Sequence, residues 1–222
     1  DLAIAIVHAE EPEWTTRAQQ ITDLRIVETL HSSTYSGVGV HRGIVDVTDQ
    51  VVSYQRRRIW TGQMLADFAL DLPPRLLQTA AVWVTLDARA VRRSDVREAD
   101  LPGALHAVEH AAIGLLPLFA TCDRWDIGGL STALHPDTGA ATIVVYDGHS
   151  GGAGFAERGH DAIREWLTAT RATIFSCICE SGCPSCVQSP KCGNGNAPLD
   201  KTAAVTILDA ILDALAAAAG TN

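Results

Sequence analysis

The chain is acidic and has the composition of an ordinary globular protein. Its 222 residues are 47% hydrophobic and 19% charged, and no stretch is apolar for long enough to cross a bilayer. The formal net charge of −9 argues against a surface that binds DNA by general electrostatic attraction, because phosphate affinity grows with the number of cations supplied. Since the first residue is Asp1 and not Met, we expect a piece of a longer polypeptide.

Short apolar or alternating runs predict that the N-terminal third is rich in β-strands. These runs are residues 2–7, 24–27, 37–40, 44–47 and 51–54, with glycines between several of them. We expect a small sheet or barrel, forming a β-rich subdomain over residues 1–75. Thr61 is positioned to cap a short helix over residues 62–70, before Pro73 and Pro74.

The remaining residues, 76–222, are expected to form an α+β subdomain. Strands are predicted at 80–86, with Trp83 buried, and at 140–146. Apolar residues at helical spacing predict a helix over 101–120, a second helix over 160–175, and a final helix that Asp200 caps and Gly220 ends. The predicted fold class is therefore α+β, a β-rich N-terminal sheet followed by a helical region that carries a cysteine knuckle.

Five of the six cysteines lie within residues 177–192, a clustering that indicates a metal site. Cys183 and Cys186 have the C-x2-C spacing of a zinc-binding turn. We expect one structural zinc ion bound by Cys179, Cys183, Cys186 and Cys192. Cys177 is the spare thiol, and it could compete for the site. A disulfide with loose thiols and a catalytic zinc are the alternatives; all-cysteine ligation favours a structural role.

The sequence His106-Ala-Val-Glu109-His110 lies on the first strong helix. Because i and i+4 share a helical face, both imidazoles could bind one metal, with Glu109 beside them as the base of a zinc-dependent hydrolase. The more common outcome for such residues is hydrogen bonding to neighbouring backbone at a seam, and the sequence favours it. Cys122, isolated from the cluster, is expected to be an apolar core residue.

The glycine-rich turn over residues 147–154 links a strand to a helix. That layout lets backbone amides cradle an anion, so phosphate contact is expected near His149, Ser150, Gly151 and Gly152. The Gly-x-Ser-x-Gly spacing also permits a catalytic Ser150, although a tight turn is favoured. The other candidate contacts to nucleic acid are basic residues: Arg56, Arg57, Arg58 and Lys191.

The cysteine segment and Pro198-Leu-Asp-Lys201 closely resemble the C-terminal zinc-binding domain of mitomycin-repair-type superfamily 2 DNA helicases. Residues 70–74, 105–111 and 146–154 resemble the same family. The resemblance implies a bacterial ATP-dependent 3′-to-5′ DNA translocase acting in repair, with two motor domains N-terminal to this piece. It also implies that zinc binds Cys179, Cys183, Cys186 and Cys192.

An accessory role follows from this resemblance. ATP is expected only in the motor domains, since this chain contains neither a Gly-Lys-Thr phosphate loop nor an Asp-Glu-x-His box. The expected partners are those motor domains and single-stranded DNA, with no membrane, and the expected location is the cytoplasm, associated with the nucleoid. The zinc-dependent hydrolase and an interaction scaffold without a DNA role stay open as alternatives.

Overall fold

A computed structural model describes residues 6–219, and its organising element is one antiparallel sheet. The strands are β1 (Trp14–Tyr35), β2 (Val38–Arg58), β3 (Met64–Ala69), β4 (Arg75–Leu86), β5 (Ile127–Thr132) and β6 (Ala141–Asp147). Their spatial order is β1-β2-β4-β6-β5, and β3 pairs with the distal part of β2. With β1 and β5 at its two edges, the sheet is open and not a closed barrel.

β1 and β2 form a long hairpin that extends beyond the rest of the sheet. Their register runs from Tyr35 opposite Val38 to Trp14 opposite Arg58. At about 3.3 Å per residue, the 21 residues of β2 span roughly 70 Å. The distal end of the hairpin is covered on its edge by β3, whose residues are mostly exposed.

The helix predicted over residues 62–70 is wrong, because Met64–Ala69 is strand β3. The segment pairs with Ser53–Arg57, and Phe68 stacks on Tyr54 with ring centroids 5.0 Å apart. A short segment next to two prolines has few helical hydrogen bonds to gain, whereas an adjacent strand offers a ladder and cross-strand side-chain pairs. The tertiary partner decides the outcome here.

Five helices follow the first four strands: α1 (Ala88–Arg93), α2 (Leu101–Leu115), α3 (Phe155–Asp161), α4 (Ile163–Ser176) and α5 (Lys201–Ala219). α2, α4 and α5 pack together on one face of the sheet, against alternate residues such as Val40, Val84 and Ile143. The opposite face holds a smaller apolar cluster around Trp83, which is 2% exposed as the sequence predicted.

The predicted α+β class is confirmed, with the sheet first and the helices mostly after it. The strands predicted at 24–27, 37–40, 44–47, 51–54, 80–86 and 140–146 overlap β1, β2, β4 and β6. The predicted helix over 160–175 is divided, since α3 ends at Asp161 and α4 begins at Ile163. The predicted strand at residues 2–7 falls mostly, and Gly220 entirely, outside the described residues.

The predicted subdomain boundary near residue 75 stays a prediction. Strands on its two sides belong to the same sheet, because β2 pairs with β4 along twelve residue pairs. None of the helices within residues 6–219 has the length and apolarity that crossing a membrane requires.

Candidate metal centre and the adjoining cleft

The cysteine segment connects α4 to α5 and turns sharply at Cys183–Cys186. The backbone N–H of Cys186 donates to the carbonyl of Cys183 (3.0 Å), and Gly182 has φ +114°, a conformation that favours glycine. Val187 is fully buried in the helical core directly after this turn. The turn is therefore anchored to the core at its C-terminal end.

Four sulfur atoms converge at this turn: those of Cys177, Cys179, Cys183 and Cys186. The Sγ–Sγ distances are 3.6 Å for Cys177–Cys179 and Cys177–Cys183, 3.5 Å for Cys179–Cys186 and 3.8 Å for Cys183–Cys186. Four thiolates about 2.3 Å from a central zinc lie about 3.8 Å apart at the corners of a tetrahedron, whereas a disulfide needs about 2.05 Å. The cluster fits a structural zinc ion and does not fit paired disulfides.

The structure differs from the sequence-predicted ligand set at one position. Cys179, Cys183 and Cys186 are brought together as expected, but the fourth sulfur of the cluster belongs to Cys177. Cys192 lies instead beside His106 and His110. The reason is local: two residues apart in the extended chain after α4, Cys177 and Cys179 point the same way, while residues 188–196 fold over the start of α2.

The turn also favours the thiolate form at one of its sulfurs. The backbone N–H of Ser185, together with neighbouring thiols, lowers the pKa of Cys183 to about 7. Burial raises the pKa of Cys186. Since thiolates are the ligands that zinc binds, a partly preformed thiolate assists metal uptake.

Lys201 holds the first two cysteines in place, a role that sequence reasoning missed. Its Nζ donates to the carbonyl oxygens of Cys177 (2.6 Å) and Cys179 (2.5 Å). The signal was present, because Lys201 belongs to the motif that resembles the helicase family. Asp200, which caps α5 as predicted, accepts from the backbone N–H of Ala203 (2.8 Å) and donates its own N–H to Gly103 (3.0 Å).

Both histidines of the His-x-x-Glu-His sequence bond to backbone carbonyls, as the favoured interpretation predicted. His106 Nδ1 is 2.8 Å from the carbonyl oxygen of Pro198, and His110 Nδ1 is 2.8 Å from that of Val187. The buried carboxylate of Glu109 accepts from the hydroxyl of Ser131 (2.6 Å), and burial raises its pKa. These contacts fasten α2 to the cysteine segment and to β5.

Cys192 completes a second group, since its Sγ lies 3.5 Å from His106 Nε2. Burial would raise the pKa of Cys192, but hydrogen bonds from His106, His110 and the backbone N–H of Asn196 outweigh it and lower the pKa to about 5. All three side chains line a cleft of about 1030 Å³. The cleft lies between α2, strands β5 and β6, and the inner part of the long hairpin.

Most backbone amides of the glycine-rich turn already have acceptors within the protein. The carboxylate of Asp147, which is fully buried, accepts from the backbone N–H groups of residues 153–156 at 2.5–3.2 Å. The N–H groups of Gly151 and Gly152 donate to the carbonyls of Gln78 and His149. Gly151, Gly152 and Gly154 have positive φ, so the predicted tight turn is confirmed, and the Asp147 carboxylate occupies the amides of the residues that follow the predicted contacts. Phosphate contact through the exposed His149 and Ser150 stays a prediction.

The basic candidates lie on two different elements and have different partners. Arg56 lies between two aromatic rings at the distal end of the hairpin, 4.1 Å from the ring of Trp14 and 5.3 Å from that of Phe68. Arg57 donates to Gln55, and Arg58 lies 3.6 Å from Glu13. All three arginines therefore already contact side chains at the distal end of the hairpin.

Lys191 lies on the wall of the cleft. Its Nζ donates to the carbonyls of Arg124 (2.8 Å) and Ile127 (2.5 Å), and burial lowers its pKa. The structure thus does not bring the predicted basic residues into one patch. Cys122, predicted to be in the core, is half-buried and packs at the edge of an apolar cluster.

Comparison with known proteins finds relatives among zinc-binding domains and helicases. The family model for the MrfA Zn-binding domain matches residues 108–187, a range that includes the four converging cysteines and stops before Cys192. An uncharacterized ATP-dependent helicase of Bacillus subtilis, YprA, is 27% identical over 183 residues, which are 82% of this chain and 24% of that protein. The uncharacterized protein MJ1572.1 of Methanocaldococcus jannaschii is 38% identical over 113 residues, covering 49% of this chain and 99% of that one.

The fold also matches a solved structure. A crystal structure of the DUF1998 helicase MrfA bound to DNA superposes with a TM-score of 0.66 at 25% identity, over 91% of this chain and 26% of that one. This chain therefore spans about a quarter of the length of the helicases that it matches. In those relatives the corresponding region is one part of a longer polypeptide.

Proposed function

Because this chain belongs to the MrfA zinc-binding-domain family, we propose that it is an accessory domain of an ATP-dependent DNA helicase. In this role it binds one structural zinc ion and helps to hold or orient single-stranded DNA beside motor domains of the same polypeptide. A 3′-to-5′ polarity, a role in DNA repair and association with the nucleoid are parts of the same proposal. The tetrahedral spacing of four sulfurs is the single observation that carries the zinc-binding part of this role.

The zinc ligands in this proposal are Cys177, Cys179, Cys183 and Cys186. The metal replaces a hydrophobic core for a segment that has few buried apolar residues, and Val187 and Lys201 tie that segment to the helices. A rigid segment in turn fixes the wall of the cleft, because residues 188–196 continue from it. In this proposal the zinc ion at the four-cysteine centre has a structural role, which is to fix the position of the cleft wall.

Cobalt substitution tests the ligand set, since thiolate ligands give strong sulfur-to-cobalt charge-transfer absorption. We expect Cys177→Ser to lose the all-sulfur spectrum and Cys192→Ser to retain it. Cys122→Ser is the matched control, because that thiol lies outside both groups. Retention of the all-sulfur spectrum in Cys177→Ser with its loss in Cys192→Ser would restore the ligand set predicted from sequence.

The DNA role draws support from the DNA-bound MrfA structure, and it must be reconciled with a net charge of −9. Fluorescence anisotropy with labelled single strands measures binding at several salt concentrations. We expect weak binding, because the chain offers few cations to neutralise phosphates. The affinity should decrease as the salt concentration rises, because salt screens these contacts. Arg57→Glu should weaken it, while Arg89→Glu, an exposed site at the opposite end of the sheet, should change it less. Absence of binding at low salt would favour the scaffold without a DNA role.

A further inference from the structure

We propose that His106, His110 and Cys192 form a second metal site, separate from the four-cysteine centre, that binds Zn²⁺ with one coordination position open to the cleft. One ring nitrogen of each histidine and Cys192 Sγ lie within 4.8 Å of one another. The histidines are one helical turn apart on α2, so the helix itself sets their spacing. This inference does not depend on the proposed helicase role.

The hydrogen bonds of the two imidazoles leave the correct atoms free for a metal. A carbonyl oxygen only accepts, so each Nδ1 that contacts Pro198 or Val187 carries the proton. In the neutral imidazole each Nε2 presents its lone pair, and a bound metal replaces the proton that His106 Nε2 shares with Cys192 in the metal-free chain. A backbone carbonyl on the second nitrogen of a ligating histidine is a usual way in which proteins orient such ligands.

The loop around Cys192 is held so that its sulfur faces the histidines. The backbone N–H of Asn196 donates to Sγ (3.2 Å), and Arg17 donates to the Cys192 carbonyl (3.0 Å). The side chain of Asn196 closes the loop through both backbone groups of Ser189 (2.7 and 3.1 Å). A thiolate that is positioned by the backbone before metal arrives is a prepared ligand.

Charge and shape at the cleft also suit a cation. Glu109 is 7% exposed, and among residues 6–219 its described hydrogen bond is with the neutral Ser131. A divalent ion with one thiolate ligand retains a net positive charge that this buried carboxylate offsets. Three protein donors leave the fourth tetrahedral position vacant, and all three line the cleft of about 1030 Å³.

Zinc is the ion expected at this site because its ligands combine one thiolate with two imidazoles, a set that zinc binds in tetrahedral geometry. The competing description is a metal-free pair in which the Cys192 thiolate accepts a hydrogen bond from protonated His106. Both descriptions involve Cys192 and His106. They differ in the metal content of the folded chain and in the reactivity of Cys192.

The test measures metal content and ¹¹³Cd NMR spectra of the full chain, loaded with zinc or cadmium alone. We expect two zinc ions per chain and two cadmium resonances, one from the all-sulfur centre and one from the mixed centre. Cys192→Ser and His106→Gln should each lose the second resonance and retain the first, which also reports that the domain is folded. Cys122→Ser is the matched control and should retain both.

The proposal is overturned if the wild-type chain binds one zinc ion in excess metal while showing only the all-sulfur resonance. Rapid alkylation of Cys192 by iodoacetamide in zinc-saturated protein would also overturn it, because a metal-bound thiolate is protected. Loss of the all-sulfur resonance in Cys177→Ser, with the mixed resonance retained, separates the two centres. A chain that lacks the second metal site would therefore still be consistent with zinc binding at the four-cysteine centre.

Discussion

Replacement of Asp147 by asparagine tests whether a buried carboxylate holds the glycine-rich turn. In the native chain its two oxygens accept four backbone N–H bonds at the start of α3. Asp147→Asn preserves the shape of the side chain but leaves one oxygen, which can keep at most three of these bonds. The new NH₂ group then faces a backbone donor, so one buried N–H loses its acceptor.

The expected cost follows from these contacts. Losing one hydrogen bond to a charged group costs about 1.5–3 kcal/mol, and removing a negative charge from a helix N-terminus costs about 0.3–1 kcal/mol more. The free energy of unfolding should fall by about 2–4 kcal/mol. For a chain of this size, the melting temperature should then decrease by roughly 4–16 °C.

Urea denaturation of zinc-loaded protein, followed by circular dichroism, measures this change. Asp23→Asn is the matched control: Asp23 is exposed on β1, so its substitution should alter stability by no more than about 0.5 kcal/mol. If Asp147→Asn behaves like Asp23→Asn, the carboxylate does not hold the turn.

Three further predictions concern other parts of the chain. Lys201→Met removes the Nζ that anchors two carbonyls of the cysteine segment, so zinc affinity measured by chelator competition should fall about 10–100-fold; unchanged affinity would contradict an anchoring role. Gly43→Ala places a Cβ 1.9 Å from the Glu28 carbonyl oxygen, so it should destabilise the folded chain by about 1–3 kcal/mol. Gly114 faces open space within α2, so Gly114→Ala should stabilise the folded chain by about 0.5–1 kcal/mol. Urea midpoints that rank the two variants in the opposite order would contradict the packing. Burial, and to a smaller extent the nearby His160, lowers the pKa of His41 in the folded chain. As pH falls from 7 to 5.5 the unfolded chain therefore binds a proton at His41 before the folded chain does, and stability should decrease. In His41→Gln the urea midpoint should decrease less over this pH range.

Much of the fold was predictable wherever a segment carries its own periodicity. The apolar stripe of α2, the strand before the glycine-rich turn and the Asp200 cap of α5 are local patterns, and all three are confirmed. Met64–Ala69 was mispredicted as helix because its stabilising partner, β2, precedes it in the chain and contributes pairing that no local pattern reveals.

The zinc site, like the fold, was predictable from sequence only in part. That several cysteines bind zinc was evident from their clustering and from the C-x2-C spacing, since a tight turn alone brings Cys183 and Cys186 together. Which sulfurs complete the site was not evident, because Cys177 and Cys192 are both within reach along the chain. The choice depends on where α4 ends and how residues 188–196 fold over α2.

The amino-acid sequence by itself determined the α+β class, the zinc-binding character and the family. Local spacing of side chains encodes these properties, so they survive without knowledge of distant contacts. Tertiary structure decided that Cys192 faces two histidines, which leaves Cys177 as the fourth sulfur of the cluster, and that Asp147 binds the backbone amides at the start of α3. Cys192 and His106 are 86 residues apart in the chain, and several amides lie within reach of Asp147, so only the packed helices and sheet determine which of these groups meet.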